Sequence, residues 1–364
     1  MKRREPGRVM LVGFEGTQVN EQVRELLKFG VGGFVLFRRN LESAEQTAGL
    51  IAEIRSLAET RRLLFAIDEE GGRVQRLREF GTAWPPARVI GAAADAEPVR
   101  QFGAALGTEL RALGFDIDFA PVVDVDSNAG NPVIGDRSFG SDPETVADLT
   151  EAFIRAIQGQ GVAACAKHFP GHGDTVADSH YELPVVRHDR ERLEQVEWVP
   201  FRRAVAAGVQ GVMTAHLVAE KIDPATPATM SPHLLGLLRN EIGFPGVIFS
   251  DDLEMRAIAD NYDVGEAALS AARAGCDMLL ICLEMDMQEA VFRALYDGPR
   301  RGVLPAERMG QMEQRLDRLA AWLPVPATGD LSVVGCQAHR ALSREIAARP
   351  PDGLTGQNTG SKQT

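Results

Sequence analysis

Two kinds of apolar segment alternate along the chain. Amphipathic stretches with helical spacing lead into short, unbroken apolar runs, and each run ends in a cluster of polar residues. The runs cover residues 9–14, 33–37, 63–67, 117–123, 162–166, 211–215, 247–249 and 278–282. Continuous rather than alternating apolarity suits parallel strands covered on both faces. Helix signals fall between the runs. Ser43 with Gln46 predicts a capping box opening a helix to about Glu59. Asp142-Pro143 and Ser231-Pro232 each set a capping side chain before a proline at the first helical position. Gly30, Gly114, Gly161, Gly208, Gly243 and Gly275 mark helix ends.

Eight such runs, with helices between most of them, predict the α/β class and a single (β/α)₈ barrel of the TIM type. A doubly wound open sheet is the rival, but no Gly-x-Gly-x-x-Gly turn follows the first run. The barrel domain is expected over residues 1–323. Pro324-Val325-Pro326 closes it, and residues 324–364 read as a tail with a short helix near 338–348 and disorder from Pro350 on. No complete second domain is expected.

Composition narrows the class. Of 364 residues, 45% are hydrophobic and 25% charged, as in ordinary soluble proteins. A net charge of -12 speaks against a nucleic-acid partner. Cys165, Cys276, Cys282 and Cys336 show neither metal-ligand nor disulfide spacing, which fits a reducing compartment. The basic start Met1-Lys2-Arg3-Arg4 is followed by an apolar run too short for a signal peptide. No segment has transmembrane length. A cytoplasmic monomer with no membrane contact is expected.

The stretch from Lys167 to His180 holds three of the seven histidines, together with Asp174 and Asp178, and begins where the fifth run stops. Loops at strand ends are where a rigid scaffold aims polar groups at a ligand. The other strand ends agree: Asp68-Glu69-Glu70-Gly71-Gly72-Arg73, Asp124, His216 and Asp251-Asp252. In barrel enzymes the site lies on that face. Carboxylates at several strand ends suggest glycoside chemistry, in which one carboxylate attacks the anomeric carbon and a second group protonates the leaving oxygen. Asp251 suits the first role. His180 suits the second, being a side chain that titrates near neutrality, with Asp178 to hold its imidazole.

Four ordered motifs carry a family resemblance: Asp68-Glu69-Glu70-Gly71-Gly72-Arg73-Val74-Gln75-Arg76, Lys167-His168-Phe169-Pro170-Gly171-His172-Gly173, Asp178-Ser179-His180, and Phe249-Ser250-Asp251-Asp252-Leu253-Glu254-Met255. Over roughly residues 8–323 the chain resembles the β-N-acetylglucosaminidases of glycoside hydrolase family 3, most closely the bacterial cytoplasmic enzymes of peptidoglycan recycling. The resemblance implies Asp251 as nucleophile, His180 as acid/base and Asp178 as its partner, with Asp252 structural. It also implies that Asp68, Arg76, Arg137, Lys167 and His168 hold the sugar hydroxyls and the N-acetyl region. The expected substrate is a GlcNAc-anhydroMurNAc muropeptide, cleaved with retention through a glycosyl-aspartate intermediate, and no cofactor or metal is implied. Relatives that hydrolyse glucosides take a carboxylate from a second domain; here the 337–345 stretch resembles only the lead-in helix to it.

Three other readings remain open from the residues. A phosphorylase on the same scaffold would profit from a histidine, which repels phosphate less than a carboxylate. A metal-dependent hydrolase using His168, His172 and His180 would need a His-x-His after the first run, where Gly13-Phe14-Glu15-Gly16 stands. A non-catalytic sugar-binding barrel is opposed by the intact Asp251 and His180. His188, His233 and His339 read as structural, and His216 as either.

Overall fold

The computed structural model describes residues 5–58, 62–175, 183–326 and 329–349. Eight parallel strands close a barrel: β1 Met10–Val12, β2 Gly33–Val35, β3 Leu64–Ile67, β4 Ile117–Asp118, β5 Ala163–Phe169, β6 Gly211–Thr214, β7 Val247–Asp252 and β8 Met278–Ile281. Each strand pairs with its neighbours in sequence, and β1 closes on β8 through Met10–Leu279 and Val12–Ile281. All eight apolar runs became barrel strands, because each is buried on both sides by side chains inside and helices outside.

The boundaries differ in an informative way. β4 as a regular strand stops at Asp118. Beyond it Phe119, Ala120, Pro121 and Val123 still share single backbone hydrogen bonds with the flanking strands, and Val122 bridges to Lys167. Pro121 has no N–H to continue a ladder. β5 and β7 run longer than the apolar pattern, so Lys167 and His168 lie on β5 and Asp251 and Asp252 on β7 themselves. These side chains therefore stand on rigid strand rather than on loop.

The helices are α1 Glu21–Phe29, α2 Ala44–Leu57, α3 Ala96–Leu113, α4 Pro143–Gly159, α5 Trp198–Ala206, α6 Pro232–Asn240, α7 Val264–Ala274, α8 Met285–Asp297, α9 Ala306–Trp322 and α10 Gln337–Ala347, among shorter turns. Asp142 and Ser231 cap α4 and α6 by accepting the N–H of Thr145 (2.8 Å) and Leu234 (3.1 Å). Ser43 accepts the N–H of Gln46 at 3.1 Å, but Gln46 returns its oxygen to the N–H of Glu42, so the box closes one residue early. Gly30 and Gly114 end α1 and α3 with φ of 78° and 98°, a left-handed conformation that a Cβ disfavours.

The face opposite the site is fastened twice by one device, four strands apart. Asp116, just before β4, accepts the N–H of Phe65 on β3 (3.0 Å) and pairs with Arg55 (2.5 Å) and Arg62 (2.9 Å). Asp277, just before β8, accepts the N–H of Ile248 on β7 (3.0 Å) and pairs with Arg239, with Arg308 (2.9 Å) and with Arg315 (3.1 Å). Each carboxylate is fully buried, so it needs those partners. Among the described residues no helix is long and apolar enough to cross a membrane.

Candidate active site

The C-terminal ends of β3 and β5 share a network of charges. Lys167 Nζ, 2% exposed, lies 2.7 Å from Asp68 Oδ1 and 2.6 Å from Glu70 Oε1. Glu70, 4% exposed, also accepts a two-pronged pair from Arg137 Nε and Nη2, both at 2.8 Å. Asp68 Oδ2 faces Arg76 Nη2 at 3.5 Å, and these two are the more open members, 18% and 28% exposed. Glu70 thus lies at the centre of the network, bound by both Arg137 and Lys167, with Asp68 and Arg76 at its more open edge.

The electrostatics follow from that packing. Burial alone would raise the Glu70 carboxyl, but Arg137 and Lys167 hold it far below the usual range. Burial would lower Lys167, yet Asp68 and Glu70 keep it well above its ordinary value. Asp68 is likewise held low against burial, by Lys167 and then Arg76. Asp68, Glu70 and Lys167 therefore stay charged at neutral pH, each facing a partner of opposite charge.

Asp124 organises the next part of the rim. Its Oδ2 takes the N–H of His168 (3.1 Å) and lies 2.7 Å from His168 Nδ1, while Oδ1 takes the N–H of His172 (2.6 Å). Burial opposes ionisation, but His168 outweighs it and the carboxyl is held low. An ionised Asp124 fixes the proton on His168 Nδ1 and leaves Nε2 for a ligand. His172 is pushed down to about 4 by burial and by His168, so it is neutral near pH 7. Among the described residues no three His, Cys, Asp or Glu side chains gather as a metal site.

Asp251 stands on β7, and its Oδ1 accepts the N–H of Asp252 at 2.8 Å. Asp252 instead accepts the N–H groups of Glu254 (3.1 Å) and Cys282 (3.3 Å), and burial, then the Glu254 charge, raises its carboxyl to about 8. His216 Nε2 lies 2.9 Å from the Asp252 carbonyl and Nδ1 2.8 Å from Thr229 Oγ1, so His216 braces the strand that carries Asp251. Asp251, like Lys167, stands towards the C-terminal end of a barrel strand, so its carboxylate and the network belong to the same end of the parallel barrel.

Residues 6–319 match the N-terminal domain of glycosyl hydrolase family 3. The chain belongs to that family. It is a glycoside hydrolase. A β-hexosaminidase of Alkalilimnicola ehrlichii is 42% identical over 296 residues, 79% of this chain and 84% of that one. Among solved structures, a family 3 β-N-acetylglucosaminidase from Paenibacillus sp. str. FPU-7 is 41% identical with a TM-score of 0.90, covering 95% of this chain and 68% of that chain. NagZ from Neisseria gonorrhoeae, in complex with N-trifluoroacetyl-D-glucosamine, is 35% identical with a TM-score of 0.78, covering 93% and 96%.

Of the candidates read from the sequence, Asp68, Arg76, Arg137 and Lys167 form the shared network, His168 sits on Asp124, and Asp251 stands on β7. Asp178 and His180 lie outside the described residues. Sequence reasoning named Glu70 and Asp124 only as strand-end polar residues and missed that they hold the others. Glu70 sits in the first motif, but nothing local separates it from Glu69, which instead accepts the N–H groups of Arg76 (2.6 Å) and Leu77 (3.1 Å) and is raised to about 8 by burial. His188, read as structural, pairs with Asp174 at 2.5 Å.

Proposed function

We propose that this family 3 enzyme removes terminal β-linked N-acetylglucosamine, with retention, from muropeptide fragments of the GlcNAc-anhydroMurNAc type. The observation that carries the reading is that Asp251 and the Asp68–Lys167–Glu70–Arg137 network stand at the same, C-terminal end of the parallel barrel strands. A sugar in the terminal position offers hydroxyls that both donate and accept. Asp68 takes hydroxyl protons, while Lys167, Arg76 and His168 Nε2 donate, with Arg137 towards the N-acetyl group. The naming of relatives as β-hexosaminidases, and the bound acetamido sugar in the gonococcal structure, support the same substrate class.

Chemistry follows in two steps. The Asp251 carboxylate attacks the anomeric carbon while His180, oriented by Asp178, gives its proton to the departing oxygen. Water then attacks the glycosyl-aspartate, with neutral His180 taking the water proton and Asp251 leaving. Two displacements at one carbon restore the β configuration. Wall-fragment recycling by a cytoplasmic monomer is part of the proposal.

The test compares nitrophenol release from the β-N-acetylglucosaminide and the β-glucoside, with and without phosphate. Preferential cleavage of the acetamido sugar, independent of phosphate, is expected. Phosphate stimulation with a sugar 1-phosphate product would make the enzyme a phosphorylase, and equal cleavage of both sugars would remove the acetamido pocket.

A further inference from the structure

Residues 329–349 lie beyond the stretch that matches the family's N-terminal domain, yet they are bonded into the loop that carries Arg76. Helix α10 packs on α3 and on the short helix Ala87–Ile90. His339 Nδ1 of α10 lies 2.7 Å from Glu109 Oε1 of α3. Glu109 is 1% exposed, and both its oxygens serve the loop: Oε2 accepts the N–H of Thr82 (3.1 Å) and Oε1 accepts its hydroxyl (2.5 Å). The Thr82 carbonyl accepts from Gln75 Nε2 at 2.7 Å, and Gln75 Oε1 accepts the N–H of Trp84 at 3.2 Å. Arg76 is the next residue. Ser343 adds a second tie, donating to the Ala83 carbonyl at 2.6 Å. A Cβ on Gly335 would come within 2.4 Å of the Phe80 carbonyl oxygen, so the tail backbone rests directly on this loop.

We propose that residues 329–349 hold the Arg76 loop in its sugar-binding position, with His339 and Glu109 as positioning residues. The inference rests on the reading of Arg76 as a sugar contact. Glu109 is a buried carboxylate whose cationic or hydrogen-bonding partner is His339. Without that partner the buried carboxylate loses the contact that fixes Oε1 from the tail side, and its hold on Thr82 loosens. Thr82 then releases Gln75, and the Arg76 guanidinium moves with its neighbour. Loops are the least stable parts of a fold, so a tie of this kind decides where their side chains rest. A misplaced ground-state contact raises KM and leaves kcat nearly intact.

The test is a double-mutant cycle in the full chain, with nitrophenyl β-N-acetylglucosaminide as substrate. His339→Ala is expected to raise KM about fivefold and to change kcat by less than about twofold. His339→Asn, whose amide nitrogen takes the place of Nδ1, restores KM. In an Arg76→Ala background His339→Ala has no further effect on KM. Hydrogen exchange at residues 75–84 quickens in His339→Ala, while the barrel strands exchange as before. An equal KM factor in both backgrounds, or unchanged KM with unchanged exchange, would overturn the proposal. If Arg76→Ala alone left KM unaltered, the sugar-contact reading would fall, and the exchange rates at 75–84 would still decide the positioning role.

Discussion

Asp251 accepts the backbone N–H of Asp252 at 2.8 Å, yet the two adjoining carboxyls have different work. Asp252 is tied to the N–H groups of Glu254 and Cys282, and burial keeps it protonated up to about pH 8. A neutral Asp252 spares Asp251 a second negative charge beside it. Asp251→Ala should therefore lower turnover by about 10⁴-fold or more with the fold intact. Asp252→Asn keeps the shape and neutrality of its site and should retain activity within about an order of magnitude. Steady-state rates and circular dichroism on the two variants check both outcomes.

The same burial sets a pH dependence of stability. Asp252 and Glu69 both titrate at about 8 in the folded chain, against about 4 when unfolded. Between those values the native state binds more protons, so their contribution to stability falls as pH rises and levels off above about 8. His172, lowered to about 4, acts in the opposite sense, its contribution being lost as pH falls from about 6.5. Comparing wild type with Asp252→Asn isolates one carboxyl. The wild type should lose more stability than the variant between pH 5 and 8 in urea titrations. Parallel losses would contradict the assignment.

Glu70 pairs with both Arg137 and Lys167, so its removal should cost the network most. Glu70→Ala leaves buried Lys167 and Arg137 short of a counter-charge, which costs about 3–5 kcal/mol in comparable buried pairs. Asp68 then competes alone for Lys167, so KM should rise as well. Glu70→Gln should recover part of the KM and less of the stability. Thermal melts and KM values on the pair of variants test this.

Why Glu70 escaped sequence reading is a question of range. The barrel was legible because burial on both strand faces leaves a local mark, a continuous apolar run, at each of eight places. Asp68, Lys167 and Asp251 stand out as candidates in the sequence because they lie where those runs end. Glu70 is defined by Arg137, 67 residues away, and by Lys167, which no local pattern encodes. His339 shows the same gap: it reads as an isolated tail histidine until the fold sets it against Glu109, 230 residues earlier. The extra length of β5 and β7 was hidden because polar residues, Lys167-His168 in β5 and Ser250-Asp251-Asp252 in β7, interrupt or end the apolar pattern before the strand ends.

His180 carries the most specific kinetic expectation. His180→Ala should slow hydrolysis of the natural β-linked substrate by about 10²–10⁴-fold. With an activated nitrophenyl leaving group, which departs without a proton, the first step should suffer less. Equal losses for both leaving groups would remove the acid role from His180.

The most direct test of the account is to try to trap the proposed glycosyl-Asp251 intermediate with a 5-fluoro N-acetylglucosaminyl fluoride. The ring fluorine slows both steps by destabilising the positive charge that builds at the anomeric centre, and the good leaving group keeps the first step faster than the second. Peptide mapping by mass spectrometry should then find one sugar on Asp251, in the β7 peptide, and none in Asp251→Ala. A label on any other residue, or turnover of the reagent with inverted product and no adduct, would contradict a retaining mechanism through Asp251.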